Sequence, residues 1–144
     1  MRRFFLPFLV SAVLILQGTF GGLAQPYTLN LASPPNTLQL LGEGFITTSL
    51  NERDFALSPD GKEIYYTIST PNSTFQTIVY STQINAMEWT VPEIVSFAGK
   101  YSDLEPSFSS DGQTLYFASN RPLTGTTIKD FDIWKVQRTA TGWS

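Results

Sequence analysis

Two acidic residues, Asp54 and Glu105, open matching copies of one stretch 51 residues apart. Carboxylates that recur at one place in a repeated unit converge when the units are arranged about an axis. A ring of this kind can hold a cation, grip a basic peptide segment or hydrogen-bond sugar hydroxyls. The plainer role for each is a hydrogen bond to backbone or an ion pair with an arginine of the next unit. Asp60 and Asp111 recur at the same spacing, but turn geometry already accounts for them. Asp130 and Asp132 have the two-residue separation of a calcium loop, yet the glycine and distal glutamate of such a loop are missing. Asp132 is instead expected to pair with Arg121. Trp89, Trp134 and Trp143 offer faces for stacking on sugars, but their matching repeat positions favour packing between units.

Much chemistry is excluded by composition. The chain has no histidine and no cysteine, which removes the commonest general base, the usual zinc and copper ligands, and any disulfide framework. It contains no Gly-x-Ser-x-Gly elbow and no phosphate loop. No catalytic residue, metal or cofactor is therefore assigned. Asn72-Ser73-Thr74 is formally a glycosylation acceptor in a loop.

The start of the chain reads as a targeting segment. Arg2 and Arg3 precede an apolar run from Phe4 to Leu16, and Gly22-Leu23-Ala24 supplies small residues before a cut. The run is shorter than the ~20 residues a spanning helix needs. Residues 1–24 are thus expected to be a signal peptide of the general secretory type, cleaved after Ala24, which puts the mature chain in the periplasm or outside the cell. Arg2-Arg3-Phe4-Phe5-Leu6 also has the form of a twin-arginine signal, though nothing polar precedes it. Without Arg2 and Arg3 the chain keeps 7 basic and 12 acidic residues, a net charge of −5. Neither nucleic acid nor, after cleavage, an anionic membrane is an expected partner.

The elements that must position the acidic pair follow from alternation. Residues 25–37, with Pro26, Pro34 and Pro35, read as a linker, and Leu38 to Thr48 as a strand kinked at Gly42 and Gly44. The first unit spans about residues 52–98. A strand through Phe55 and Leu57 reaches the turn Ser58-Pro59-Asp60-Gly61 and returns through Ile64-Tyr65-Tyr66-Thr67-Ile68. Proline presets one backbone angle of such a turn, aspartate bonds nearby backbone, and glycine accepts the left-handed conformation that ends it. The second unit, about residues 103–144, repeats this with Ser109, Ser110, Asp111 and Gly112 and the strand Leu115-Tyr116-Phe117-Ala118. Neither returning strand has a charged face, so both sheets are expected to be covered above and below.

Third strands are expected at Gln76–Thr82 and Phe131–Gln137. Aligning Tyr80 with Trp134 gives a spacing of 54 and places three extra residues in the loop from Asn120 to Asp130. A fourth strand should run from Trp89 through Val91, Ile94, Val95 and Phe97, with Pro92 marking an edge. Its second copy begins at Thr139 to Trp143, where the sequence ends.

Four strands per ~50 residues, apolar on both faces, is what a β-propeller blade requires. A β-sandwich is the competing all-β arrangement. Residues 105–121, acidic-Pro-x-Phe-Ser-x-Asp-Gly-x-x-Leu-Tyr-Phe-x-Ser-Asn-Arg, resemble the repeat of TolB-like propellers, the WD-like repeats of Pro-Asp type, and Asp130-Phe131-Asp132-Ile133-Trp134 resembles its third strand. The first copy departs, with Phe55 for the proline and Ser69-Thr70-Pro71 for Ser-Asn-Arg. The resemblance covers about residues 38–144. It implies an all-β propeller of four-stranded antiparallel blades, about two of them here, with an N-terminal closing strand. Since a ring takes ~4 to 8 blades, the chain is expected to be an N-terminal piece of a longer one.

Such propellers serve as docking platforms, sugar-binding or lytic domains and gates on peptidases. The resemblance therefore implies an exported binding or scaffolding module for a protein or carbohydrate ligand, without catalysis of its own. The alternative is the propeller portion of a serine peptidase or carbohydrate-active enzyme. Its ligand loops would correspond to residues 70–75, 120–129 and 99–103, and Lys100, Tyr101 and Arg121 join Asp54 and Glu105 as contact candidates.

Overall fold

The two Asp-Gly turns close the two equivalent hairpins of the architecture. In the computed structural model, which describes residues 25–32 and 35–144, Ser58 Oγ donates to Asp60 Oδ1 at 2.6 Å and accepts from the backbone N–H of Lys62 and Glu63. Ser109 Oγ likewise donates to Asp111 Oδ1 at 2.6 Å and accepts from Thr114 N–H. Gly61 and Gly112 end these turns at φ 72° and 69°, which only glycine adopts without strain. Each serine thus binds backbone groups that the reversal leaves without ladder partners.

The strands that the turns connect form an all-β molecule, with no helix among the described residues. Strand β1 (Tyr27–Thr28) precedes β2 (Asn51–Leu57), β3 (Glu63–Ser69), β4 (Gln76–Thr82), β5 (Glu88–Trp89) and β6 (Glu93–Ile94). The second copy comprises β7 (Asp103–Phe108), β8 (Thr114–Ser119), β9 (Asp132–Thr139) and β10 (Gly142–Trp143). Two four-stranded antiparallel sheets result, ordered β2-β3-β4-β6 and β7-β8-β9-β10, and β1 pairs separately with β5. Neighbouring strands follow one another in sequence in the second sheet, and in the first only β5 is passed over, so each sheet is an antiparallel meander.

Both faces of β3 are buried: Ile64, Tyr65, Tyr66 and Thr67 are each at most 2% exposed. On one face Tyr65 and Ile78 pack with Leu115, Phe117 and Val136 of the second sheet. On the other, Ile64, Tyr66, Val79 and Trp89 pack with Leu29, Phe45 and Ile46 of the N-terminal segment. The first sheet is therefore a middle layer. Among the described residues the second is covered on one side alone, since Tyr116 and Ile133 on its outer face are 42% and 74% exposed. The expectation that it is covered above and below fails for want of a neighbour on that side.

Three further expectations are corrected. Leu38 to Thr48 form no strand; residues 41–46 make turns around Gly42 and Gly44, and Leu38 is fully exposed. The N-terminal strand lies earlier, at β1, within the expected linker. The register also shifts the alignment of the two copies. Tyr65 opposes Tyr80 while Tyr116 opposes Lys135, so Tyr80 corresponds to Lys135 and Val79 to Trp134. The spacing in the third strand is thus 55; the preceding loop gains four residues and the following turn loses one. Tyr80 and Trp134, both aromatic, conceal this shift in the sequence. Finally, the fourth strand of the first copy is split at Pro92 into β5 and β6, because proline lacks the N–H that would continue a ladder. The expected signal peptide lies outside the described residues.

Candidate functional site

Asp54 and Glu105 occupy one unusual backbone position in each sheet. Arg53 opposes Thr67 and Ala56 opposes Tyr65, so Asp54 and Phe55 together face the single residue Tyr66. In the second sheet Glu105 and Pro106 face Phe117 in the same way. These are β-bulges whose first residue is left-handed, with φ 57° at Asp54 and 58° at Glu105, a place that glycine commonly fills. A side chain there costs about 1–2 kcal/mol. The bulge also frees a donor, and Glu105 N–H reaches across to Thr67 Oγ1 of the first sheet at 3.2 Å.

Arg53 joins the two carboxylates. Its Nε lies 3.0 Å from Asp54 Oδ1 and 2.9 Å from Oδ2, and its Nη2 lies 3.4 Å from Glu105 Oε1. The structure thus brings the two acids to one seam, where two negative charges meet one positive charge. Asp54, Arg53 and Glu52 also line a cleft of about 170 Å³ with Tyr66, Ile46 and Thr47. Glu105 remains 55% exposed at the side chain.

The other candidates separate. Lys100 and Tyr101 lie on the connection from β6 to β7, with the ammonium 5.2 Å from the Tyr101 ring centroid. No hydrogen bond or ion pair among the described residues links them to Arg53. Arg121 is not exposed; its side chain is 18% accessible and its Nη2 sits 2.6 Å from Oδ1 of the wholly buried Asp103. It also donates to Ser119 Oγ and to the Phe97 carbonyl, each at 2.9 Å, and lies 4.9 and 5.6 Å from the Phe117 and Trp134 ring centroids. Arg121 is therefore a clamp that ties the connection between the sheets to β8. Asp132, its expected partner, pairs with Lys129. Asp103 wins because it sits opposite Ser119 in the β7–β8 register, next to Arg121.

The bulges lie midway along β2 and β7, and the Asp-Gly turns follow the ends of these strands. Ser58, Pro59, Asp60, Asp111 and Gly112 line a cleft of about 390 Å³ with Glu63 and Arg138. Hydrogen bonds from the serine hydroxyls and the N–H groups of Lys62 and Gln113 hold both turn carboxyls below their ordinary value. A third cleft, about 320 Å³, runs between the outer edges of the sheets along Tyr65, Tyr80, Glu93, Arg138 and Trp143. Burial pushes the Tyr65 hydroxyl up to about 12, so it stays a neutral acceptor for Trp143 Nε1–H at 2.9 Å.

No protein-family model, curated protein or solved structure matches this chain. The capability of the site follows from its own groups: two acceptor carboxylates, one guanidinium, and a cleft with an apolar wall. Among the described residues no three side chains of metal-ligating type converge. The sequence pattern does not single out Arg53 and Thr67, which fix the acids in place, because the bulge that juxtaposes them leaves no mark of its own in it.

Proposed function

We propose that this chain is an exported binding or scaffolding module of β-propeller type, without catalysis of its own, that contacts a protein or carbohydrate ligand through the part of the seam bearing Asp54 and Glu105. The observation carrying this reading is the repeated acidic residue at a left-handed bulge. Glycine would be less strained there, and two copies of a costly choice at equivalent positions of both sheets favour a use for the carboxylates. The propeller reading is supported by two successive four-stranded meanders stacked face to face, with the same turns and bulges. The TolB-like motif at residues 105–121 points the same way.

The test uses the secreted protein. Mass spectrometry of the mature form should give an N-terminus at Gln25, and a glycan array and pull-downs from the extracellular or periplasmic fraction should return a ligand. Binding should fall at least ~10-fold in the Asp54→Asn, Glu105→Gln double variant, a loss of about 1.4 kcal/mol, while its melting temperature holds. A ligand retained equally by the variant would move the site elsewhere. Turnover of the captured ligand would make the chain part of an enzyme instead.

A further inference from the structure

The N-terminal segment stands where a third sheet would pack. By the two registers, Ile64, Tyr66 and Val79 of the first sheet correspond to Leu115, Phe117 and Trp134 of the second. Leu115 and Phe117 are buried in the seam against the first sheet, and Trp134 packs there too. Their counterparts Ile64, Tyr66 and Val79 are covered by Leu29, Phe45 and Ile46. The two tryptophans make the substitution explicit. Trp143 donates its indole N–H across the seam to the Tyr65 hydroxyl at 2.9 Å, while Trp89, its counterpart, donates to the Leu29 carbonyl at 3.1 Å. A backbone oxygen of the N-terminal segment does the work of a neighbouring sheet's tyrosine.

At the other end of the stack no described residue covers the receiving surface. Tyr116, Ile133 and Lys135 correspond to Tyr65, Ile78 and Tyr80, which take the second sheet, and Tyr116 and Ile133 are 42% and 74% exposed. The first sheet of another copy, freed of its N-terminal segment, matches this surface pair by pair. Trp89 would meet Tyr116 as Trp143 meets Tyr65. The charged seam pair Glu63–Arg138 becomes the neutral pair Thr114–Gln83, leaving no charge buried alone. Where Tyr80 and Gly142 line one cleft, Lys135 would face Glu88, an opposite charge.

We propose that the outer face of the second sheet docks the first sheet of a second copy, and that the N-terminal residues Tyr27, Leu29, Leu31, Phe45 and Ile46 act as an intramolecular cap competing for the same apolar surface. An intramolecular cap has a high effective concentration, so the unaltered chain is monomeric at low concentration. Joining unlike faces is heterologous, so the product is a ring or a ladder rather than a closed dimer of identical patches.

The full chain with Tyr27→Ala and Phe45→Ala, which removes the stacked rings of the cap, is compared with the unaltered chain by sedimentation velocity over rising concentration. The loosened cap should tighten association at least ~10-fold and yield species heavier than a dimer. Adding Ile133→Asp should return it to monomer. A folded, loosened variant that stays monomeric overturns the proposal, as does association that survives Ile133→Asp. If the loosened variant does not fold, the unaltered chain at high concentration decides: association abolished by Ile133→Asp supports the proposal, and no association overturns it.

Discussion

Asp60 and Asp111 show how little a recognisable residue need do beyond its own turn. Each accepts from a serine hydroxyl at 2.6 Å and from a backbone N–H two residues on, at 3.1 Å for Asp60 and 3.0 Å for Asp111, which favours the charged form. Both carboxyls therefore titrate below their ordinary 3.8. A group depressed in the folded state contributes stability that is complete above its unfolded pKa and is lost as pH falls through its folded one. Asp111→Asn should then be less stable than the unaltered chain at pH 7. The gap should close as pH drops from about 4 through the depressed folded-state value. Urea midpoints measured across that range check it; a gap that stays constant would show that the charge contributes nothing. The acids at the bulges differ in kind, because their cost lies in the backbone. Glu105→Gly should raise the urea midpoint, reflecting a gain in unfolding free energy of up to about 1 kcal/mol once the lost Arg53 contact is offset against relieved strain. If it lowers stability instead, Glu105 is there for the fold.

At the scale of elements, the hairpins were legible and the N-terminal segment was not. Ser-x-Asp-Gly between two alternating runs specifies both turn and register, because the serine, the aspartate and the glycine each meet one requirement of the reversal. Gly61 and Gly112 make the point testable. At φ 72° and 69°, with space for a Cβ beside Gly61 and an ordinary 3.5 Å contact to Pro59 beside Gly112, alanine is penalised by backbone strain alone. Both substitutions should cost about the same, roughly 1–2 kcal/mol, in thermal unfolding; a marked difference would deny the equivalence of the turns. Tyr27, Leu29 and Leu31 do alternate, but the prolines on either side masked a strand only two residues long. The bulges, the Asp103–Arg121 clamp and the shifted third-strand register arise from contacts between elements. Alternation along one strand carries no trace of which residue lies opposite it on the next.

For the molecule as a whole, cohesion depends on the seam between the sheets, and the seam has a polar lock at its outer end. Arg138 of β9 donates to both oxygens of Glu63 on β3, at 2.9 and 2.7 Å, and its guanidinium lies 4.2 Å from the centroid of the Trp143 ring. The two side chains are 27% and 21% accessible, so the pair is neither a screened surface bridge nor a fully desolvated one. A bidentate, partly buried pair of this kind should couple by about 1–2 kcal/mol. A double-mutant cycle of Glu63→Gln and Arg138→Met, read by urea denaturation, isolates that coupling. The cycle also reports how the sheets unfold. If they melt as one unit, the single substitutions should lower the stability of both together. Amide exchange in β3 and β8 should then accelerate in parallel, even though Glu63 and Arg138 are 75 residues apart. Acceleration confined to one sheet would mean that each is held mainly by its own turns and, for the first, by the N-terminal segment. Parallel loss would make the seam, rather than either sheet, the unit of stability.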